Sequence, residues 1–188
     1  MNTPHRFVLQ PGSTTYQQIW PQILADTRRI LHAVRRRGIV LAGPRGTGQP
    51  LLDPARGIGF TGDITAGYAC ESLWLPAPGP AAPGAPTDAR IFGHAATVRA
   101  PYDLAVTTVL LRCHLLAPDV VAIGGQPWRS WTSPPGANAR DLVTDLFGIR
   151  VTASPLTDVT TGMALTQSGR WIDPRLATEP VVVTRDNT

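Results

Sequence analysis

Between Tyr16 and Arg37 the apolar residues Tyr16, Ile19, Trp20, Ile23, Leu24, Ile30, Leu31 and Val34 return at three- and four-residue steps. That spacing predicts an amphipathic helix with one core-facing side. Pro21 falls inside the pattern, so the regular helix is expected to begin near it, after a looser turn. The helix should end at "RRRG", where Arg35, Arg36 and Arg37 complement its negative end and Gly38 supplies a left-handed cap.

Short apolar runs between Gly, Pro and Asp turn signals follow. Ile39 to Ala42, Gly57 to Phe60, Cys70 to Leu75 and Arg90 to Val98 read as strands of a mostly antiparallel sheet. "PAPGPAAPGAPTD", residues 76–88, has neither the donors for a ladder nor the side chains for a core and is expected to be a loop joining two strands. "PYDLAVTTVLLRCHLLAP" opens with Pro101 and Asp103 at first-turn positions and stops before Pro118, a second helix. Apolar residues cover nearly all of its sides, with Thr108 and Arg112 as a thin polar strip, which marks it as the buried central helix. Val120 to Gly124 reads as a strand and Ala137 to Gly148 as a third helix. Strand-like pieces follow at Ile149 to Thr152, Met163 to Thr166 and Val181 to Thr184, with Ser168 and Gly169 as a turn.

The order helix, strands, helix, strand, helix, strands predicts an α+β fold: a mostly antiparallel sheet packed with about three helices, one long and N-terminal, one central and buried. Residues 1–188 are long enough to form one domain that buries about 70% of its extended-chain surface. The N-terminal "MNTPHRFVLQPG" has no apolar leader core, and no run approaches a membrane span, so a soluble cytoplasmic protein is expected.

Composition narrows the chemistry. Pro (19) and Gly (18) are abundant and only 16% of residues are charged, which suits a loop-rich globule. All 17 basic residues are Arg. GC-rich coding explains that bias, while an Arg surface would also suit phosphate recognition. Without Lys there is no Schiff base, no Lys general base and no phosphate-loop lysine. "GPRGTGQP", residues 43–50, has the rhythm of such a loop but places Gln49 and Pro50 where Lys and Ser or Thr are needed, so it is read as a turn joining two strands. Cys70 and Cys113 are too few for a disulfide framework and are expected reduced and buried. His5, His32, His94 and His114 form no ligand spacing, and neither a metal nor a cofactor is expected.

The residues best placed for chemistry are Asp63, Glu71 and His94, with Arg99 and Asp103, because they lie near strand ends and a helix start. Two carboxylates with a His could serve as general acid and base or hold a divalent metal, though Asp63 also suits a turn and Asp103 a helix start. In "GGQPWRSWTSPPG" the pair Trp128 and Trp131 brackets Arg129, a combination that can anchor a protein or stack on bases, or else cover a core edge. Arg35, Arg36 and Arg37 could contact phosphates, although solvation of a helix end accounts for them.

"GIGFTGDITAGYACESLWL", "TVRAPYDLAVTTVLLR" and "GGQPWRSW" together resemble a small family of actinobacterial proteins, some carried on mobile elements, to which no activity is attached. Its pattern is Phe-Asn-Gly-Asp, a Glu-Thr-Phe strand, Lys-Thr-x-Arg-x-Pro-Tyr-Asp opening a helix, and a late Asp-Trp. The matching positions are Phe60, Gly62, Asp63, Glu71, Thr97, Arg99, Pro101, Tyr102, Asp103 and Trp131, over about residues 58–131. Thr61, Ser72, Leu73 and Ala96 depart from it, the last where the family has its Lys. The resemblance implies a compact α+β domain from a GC-rich bacterium or its phage, and no reaction.

With every strong catalytic motif missing, the expectation is a non-catalytic binding or accessory protein. Its surface would be Arg99, Tyr102, Asp103, Trp128, Arg129, Trp131 and Arg35 to Arg37, with a protein as the leading partner and nucleic acid as the second. The alternatives are a small hydrolase or phosphate-handling enzyme built on Asp63, Glu71 and His94, and a structural subunit of a phage or other assembly.

Overall fold

The computed structural model describes residues 4–98, 100–124, 134, 136–152, 154 and 155. In chain order these form β1 (His5–Leu9), α1 (Thr14–Arg36), β2 (Leu41–Ala42), β3 (Leu51–Asp53), β4 (Gly57–Gly62), β5 (Leu73–Pro76), β6 (Ile91–Ala95), α2 (Asp103–Leu116), β7 (Val121–Gly124) and α3 (Gly136–Phe147). The architecture is α+β, as the order of hydrophobic patterns predicts.

Two sheets carry it. In one, β1 lies between β6 and β7, antiparallel to both, with His5 opposite Ala95 and Leu9 opposite both Ile91 and Val121. In the other, β4 pairs antiparallel with β2, β3 and β5. Along β1 burial alternates: His5, Phe7 and Leu9 face the core, while Arg6 and Val8 face the other side. Phe7 packs over Gly93, where a Cβ would come within 2.2 Å of its ring. Only glycine leaves room for that ring.

Helix α1 starts at Thr14, seven residues before Pro21, and runs unbroken through it. The expected late start is therefore corrected. Ser13 caps the helix by accepting from the Tyr16 amide at 3.1 Å, so the first turns are nucleated before proline is reached. The bond that Pro21 cannot donate is lost on the exposed side of the helix, where both Gln17 and Pro21 face solvent. The buried face of α1 is Tyr16, Trp20, Ile23, Leu24, Ile30, Leu31 and Val34, with Trp20 donating to the Pro54 carbonyl at 2.9 Å.

Helix α2 is the central one, packed against α1, α3 and β7, and Val106, Val109, Leu110 and Leu111 are fully buried. Its expected polar strip does not face water. Thr108 turns its hydroxyl back onto the Leu104 carbonyl at 2.6 Å, and Arg112 reaches Asp26 of α1.

Strands β1 and β3 carry no signal in the apolar pattern, because both are short and β1 opens on the polar His5 and Arg6. The strand expected from Cys70 begins only at Leu73, since residues 63–72 are a turn at 64–67 followed by irregular chain. Cys70 is consequently exposed, not buried, while Cys113 is buried as expected. Ile149 to Thr152 is not a strand; it follows the left-handed Gly148 cap of α3 as irregular chain. The expected strands at 163–166 and 181–184 and the turn at 168–169 lie outside the described residues. The Pro/Gly-rich stretch is, as expected, a connection between two strands, and it links the two sheets through β5 and β6. Gly79 fastens it by donating to the Pro11 carbonyl at 3.0 Å. No helix among the described residues is long and apolar enough to cross a membrane.

Candidate functional site

The glycine-rich stretch that imitates a phosphate loop is a turn between β2 and β3, closed on itself by the Gly43 amide donating to Thr47 and Gly48 carbonyls. It feeds a strand rather than a helix, so it lacks the ring of free helix N–H groups that holds phosphate.

The carboxylates and histidines singled out from the sequence separate into three groups. Asp63 stays within its own surface turn, accepting from the amide and hydroxyl of Thr65 at 2.7 and 2.6 Å. Those bonds hold its carboxyl below the usual range. Glu71 and His94 do meet, at 3.3 Å between Oε2 and Nε2, with Glu71 half exposed. The same Glu71 oxygen accepts the Ala96 amide at 2.9 Å, and the Glu71 amide donates to the Ala96 carbonyl. Glu71 thereby ties the irregular chain before β5 to the end of β6, as a strand pairing would.

Asp103, at the first turn of α2, forms the third group. Its Oδ1 accepts from the fully buried His5 Nε2 at 2.6 Å and from the Thr97 hydroxyl. Burial pushes the carboxyl upward, but the bonds and charge of His5 and the hydroxyl of Thr97 outweigh it and leave Asp103 below its ordinary value. Both donors converge on the carboxylate, so the Thr97 hydroxyl is bonded to Asp103 rather than aligned on the imidazole as a nucleophile would be. Next to Asp103, Tyr102 is fully buried and donates to the Glu71 carbonyl at 2.9 Å. Burial raises its hydroxyl pKa, and it stays a neutral donor.

The loop that delivers these residues is strained. Val98 adopts φ 51°, the left-handed region that a β-branched side chain rarely enters. Thr97, Tyr102 and Asp103 of the Thr-x-Arg-x-Pro-Tyr-Asp run thus act as a clasp between β1, β6, residue 71 and the start of α2. His5 completes that clasp from the far end of the chain, and no spacing rule would have found it. Among the described residues no group of three or more His, Cys, Asp or Glu side chains could hold a metal ion.

The arginines at the end of α1 are exposed. Arg37 lies 3.6 Å from Asp145 and Arg35 donates to Gln49 Oε1 at 2.7 Å. From this cluster the exposed face continues along the helix through His32, Arg29 and Arg28. Asp26, the only carboxylate of α1, is buried against Arg112. Helical periodicity foreshadows both facts, since Arg28, His32 and Arg35 are spaced by four and three residues opposite the apolar stripe. Arg99, Trp128, Arg129 and Trp131 lie outside the described residues.

Compared with protein-family models, with curated proteins and with solved structures, the chain matches none.

Proposed function

We propose that this chain is a non-catalytic binding protein that recognises a macromolecular partner through exposed arginines. One observation carries the reading: the exposed face of α1 presents Arg28, Arg29, Arg35 and Arg36 with no carboxylate beside them on that helix. Such a row gathers positive charge on one face, which a partner of opposite charge would complete. Two features of the acidic and His groups agree with it. Asp103 and His5 are consumed in holding strands and helix together, and Asp63 serves its own turn.

The test is native mass spectrometry of the full chain, released gently from its own host's lysate at low ionic strength. A reproducible macromolecular complex that disappears in the Arg28→Gln/Arg35→Gln/Arg36→Gln variant is the expected result. Bare monomer in both proteins would overturn the reading.

A second reading rests on the Glu71–His94 contact at 3.3 Å, between a half-exposed carboxylate and a mostly buried imidazole. It makes the chain a small hydrolase or phosphate-handling enzyme, with His94 as the base that Glu71 orients. A small-molecule adduct that is lost in His94→Gln and kept in the arginine variant would favour it.

A further inference from the structure

We infer that the exposed face of α1 binds the phosphate backbone of duplex nucleic acid, without reading its sequence; this rests on the binding reading above and names its partner. The geometry of the row is the starting point. At about 100° per residue, Arg35, Arg28, His32, Arg36 and Arg29 fall in order within a sector about 120° wide, and Arg28 to Arg36 spans about 12 Å of helix. Duplex DNA carries one negative charge per about 1.7 Å of its axis, so a row of that length meets several phosphates at once.

The arginines are not all equally free. Arg29 donates to the Leu146 carbonyl at 2.6 Å and lies 4.9 Å from the Phe147 ring centre, so it also holds α3. Arg37 is shared with Asp145. Arg28 and Arg36 contact no carboxylate among the described residues, and Arg35 bonds only the neutral Gln49 amide. That bond fastens the Gly43–Gly48 turn to the end of α1, and the turn carries a further exposed arginine, Arg45. Four cations, Arg28, Arg35, Arg36 and Arg45, are therefore available.

What the face lacks identifies the partner. Protein interfaces are anchored by apolar or aromatic side chains at their centre. The large hydrophobic residues exposed on the described surface are Val40, Ile64, Tyr68 and Val98, none of them on α1. The rest of its exposed face is Thr14, Thr15, Gln17, Gln18, Pro21, Gln22 and Ala25. Single strands are held by stacking on several aromatic rings, whereas this helix exposes only the imidazole of His32. Guanidinium groups and neutral amides with no apolar anchor suit a phosphate backbone, which is contacted by Arg and Gln side chains alike.

The test is fluorescence anisotropy of a labelled, mixed-sequence DNA duplex with the full chain across a salt series. Four phosphate contacts predict a log–log salt slope of about −3.6, or roughly a 150-fold loss of affinity between about 50 and 200 mM salt. Arg28→Gln/Arg36→Gln should lower the slope to about −1.8 and the loss to roughly 12-fold. Arg56→Gln, exposed in the β3–β4 turn two residues after the Pro54 that Trp20 of α1 contacts, should leave the slope unchanged. Equal effects of Arg56→Gln and the double variant would overturn the inference, because net charge alone would then be responsible. Labelled polyglutamate separates the two levels of the argument. If it binds through Arg28 and Arg36 while the duplex does not, the nucleic-acid inference falls and the arginine-surface reading stands. If neither polyanion binds at the lowest salt, both fall.

Discussion

Arg112 of α2 places its Nε 2.6 Å from Oδ2 of Asp26 on α1, with the carboxylate 2% exposed and the guanidinium 12% exposed. The Arg112 guanidinium also lies 4.5 Å from the Phe147 ring centre, and Gln22 donates to the other Asp26 oxygen at 2.7 Å. A single arginine thus joins all three helices. Removing one partner leaves a buried charge uncompensated, which costs about 3–5 kcal/mol, whereas replacing both with apolar residues of similar volume is often neutral. Asp26→Leu and Arg112→Met should each lower the urea midpoint strongly, and the double variant should recover most of the loss. Additive losses in the double variant would show that the pair contributes nothing as a pair.

A second expected outcome concerns acid. Asp103 has a folded pKa below its unfolded value, so between the two the unfolded chain binds more protons. The stability it contributes is complete above the unfolded value of about 4 and is lost as pH falls through the folded value. Asp103→Asn keeps the shape and removes the charge, and should cost about 1–3 kcal/mol at neutral pH by urea denaturation. That difference should shrink steadily below about pH 4, as the wild-type carboxyl takes up its proton. A gap that stays constant with pH would mean the carboxylate charge is not what holds His5 and Thr97.

These two pairs also explain what could be read from the chain. Residues 16–34 announce α1 because a long helix repeats its apolar residues many times, and Leu104 to Leu116 announce α2 by being apolar nearly all round. Asp26 sits among core positions of α1, so its need for a partner was legible; that the partner is Arg112 was not, since the contact depends on how two helices cross. His5 is harder still. Its five-residue strand carries too few alternations to stand out, and its carboxylate lies 98 residues away. The turn character of Gly43–Gly48 was legible because the missing Lys excludes the alternative chemically. Glu71 acts as part of a strand ladder through its side chain, a role that residue type alone cannot signal.

The two thiols should differ sharply in reactivity. Burial pushes the Cys113 pKa up to about 12, while Cys70 is exposed in the irregular chain before β5. Thiolate is the reactive form, so Cys113 is protected both by access and by protonation. Titration with a chromogenic disulfide reagent at about pH 8 should release one equivalent promptly and the second only in denaturant. Two equivalents at one rate would place Cys113 at the surface.

Val98 offers the clearest gain. Its side chain is 56% exposed and its φ is 51°, so it contributes little burial while holding a conformation that costs an L-residue about 1–2 kcal/mol. Asparagine enters this region more readily, because its short polar side chain bonds the local backbone. Val98→Asn should therefore stabilise the chain by about 0.5–1 kcal/mol, seen as a higher urea midpoint with an unchanged slope. Val98→Gly should stabilise it less, since glycine relieves the same strain but adds freedom to the unfolded state. If both substitutions lower the midpoint, the Val98 side chain is making a contact that outweighs its backbone strain. The clasp of Thr97 and Asp103 would then depend on that contact rather than on the turn alone.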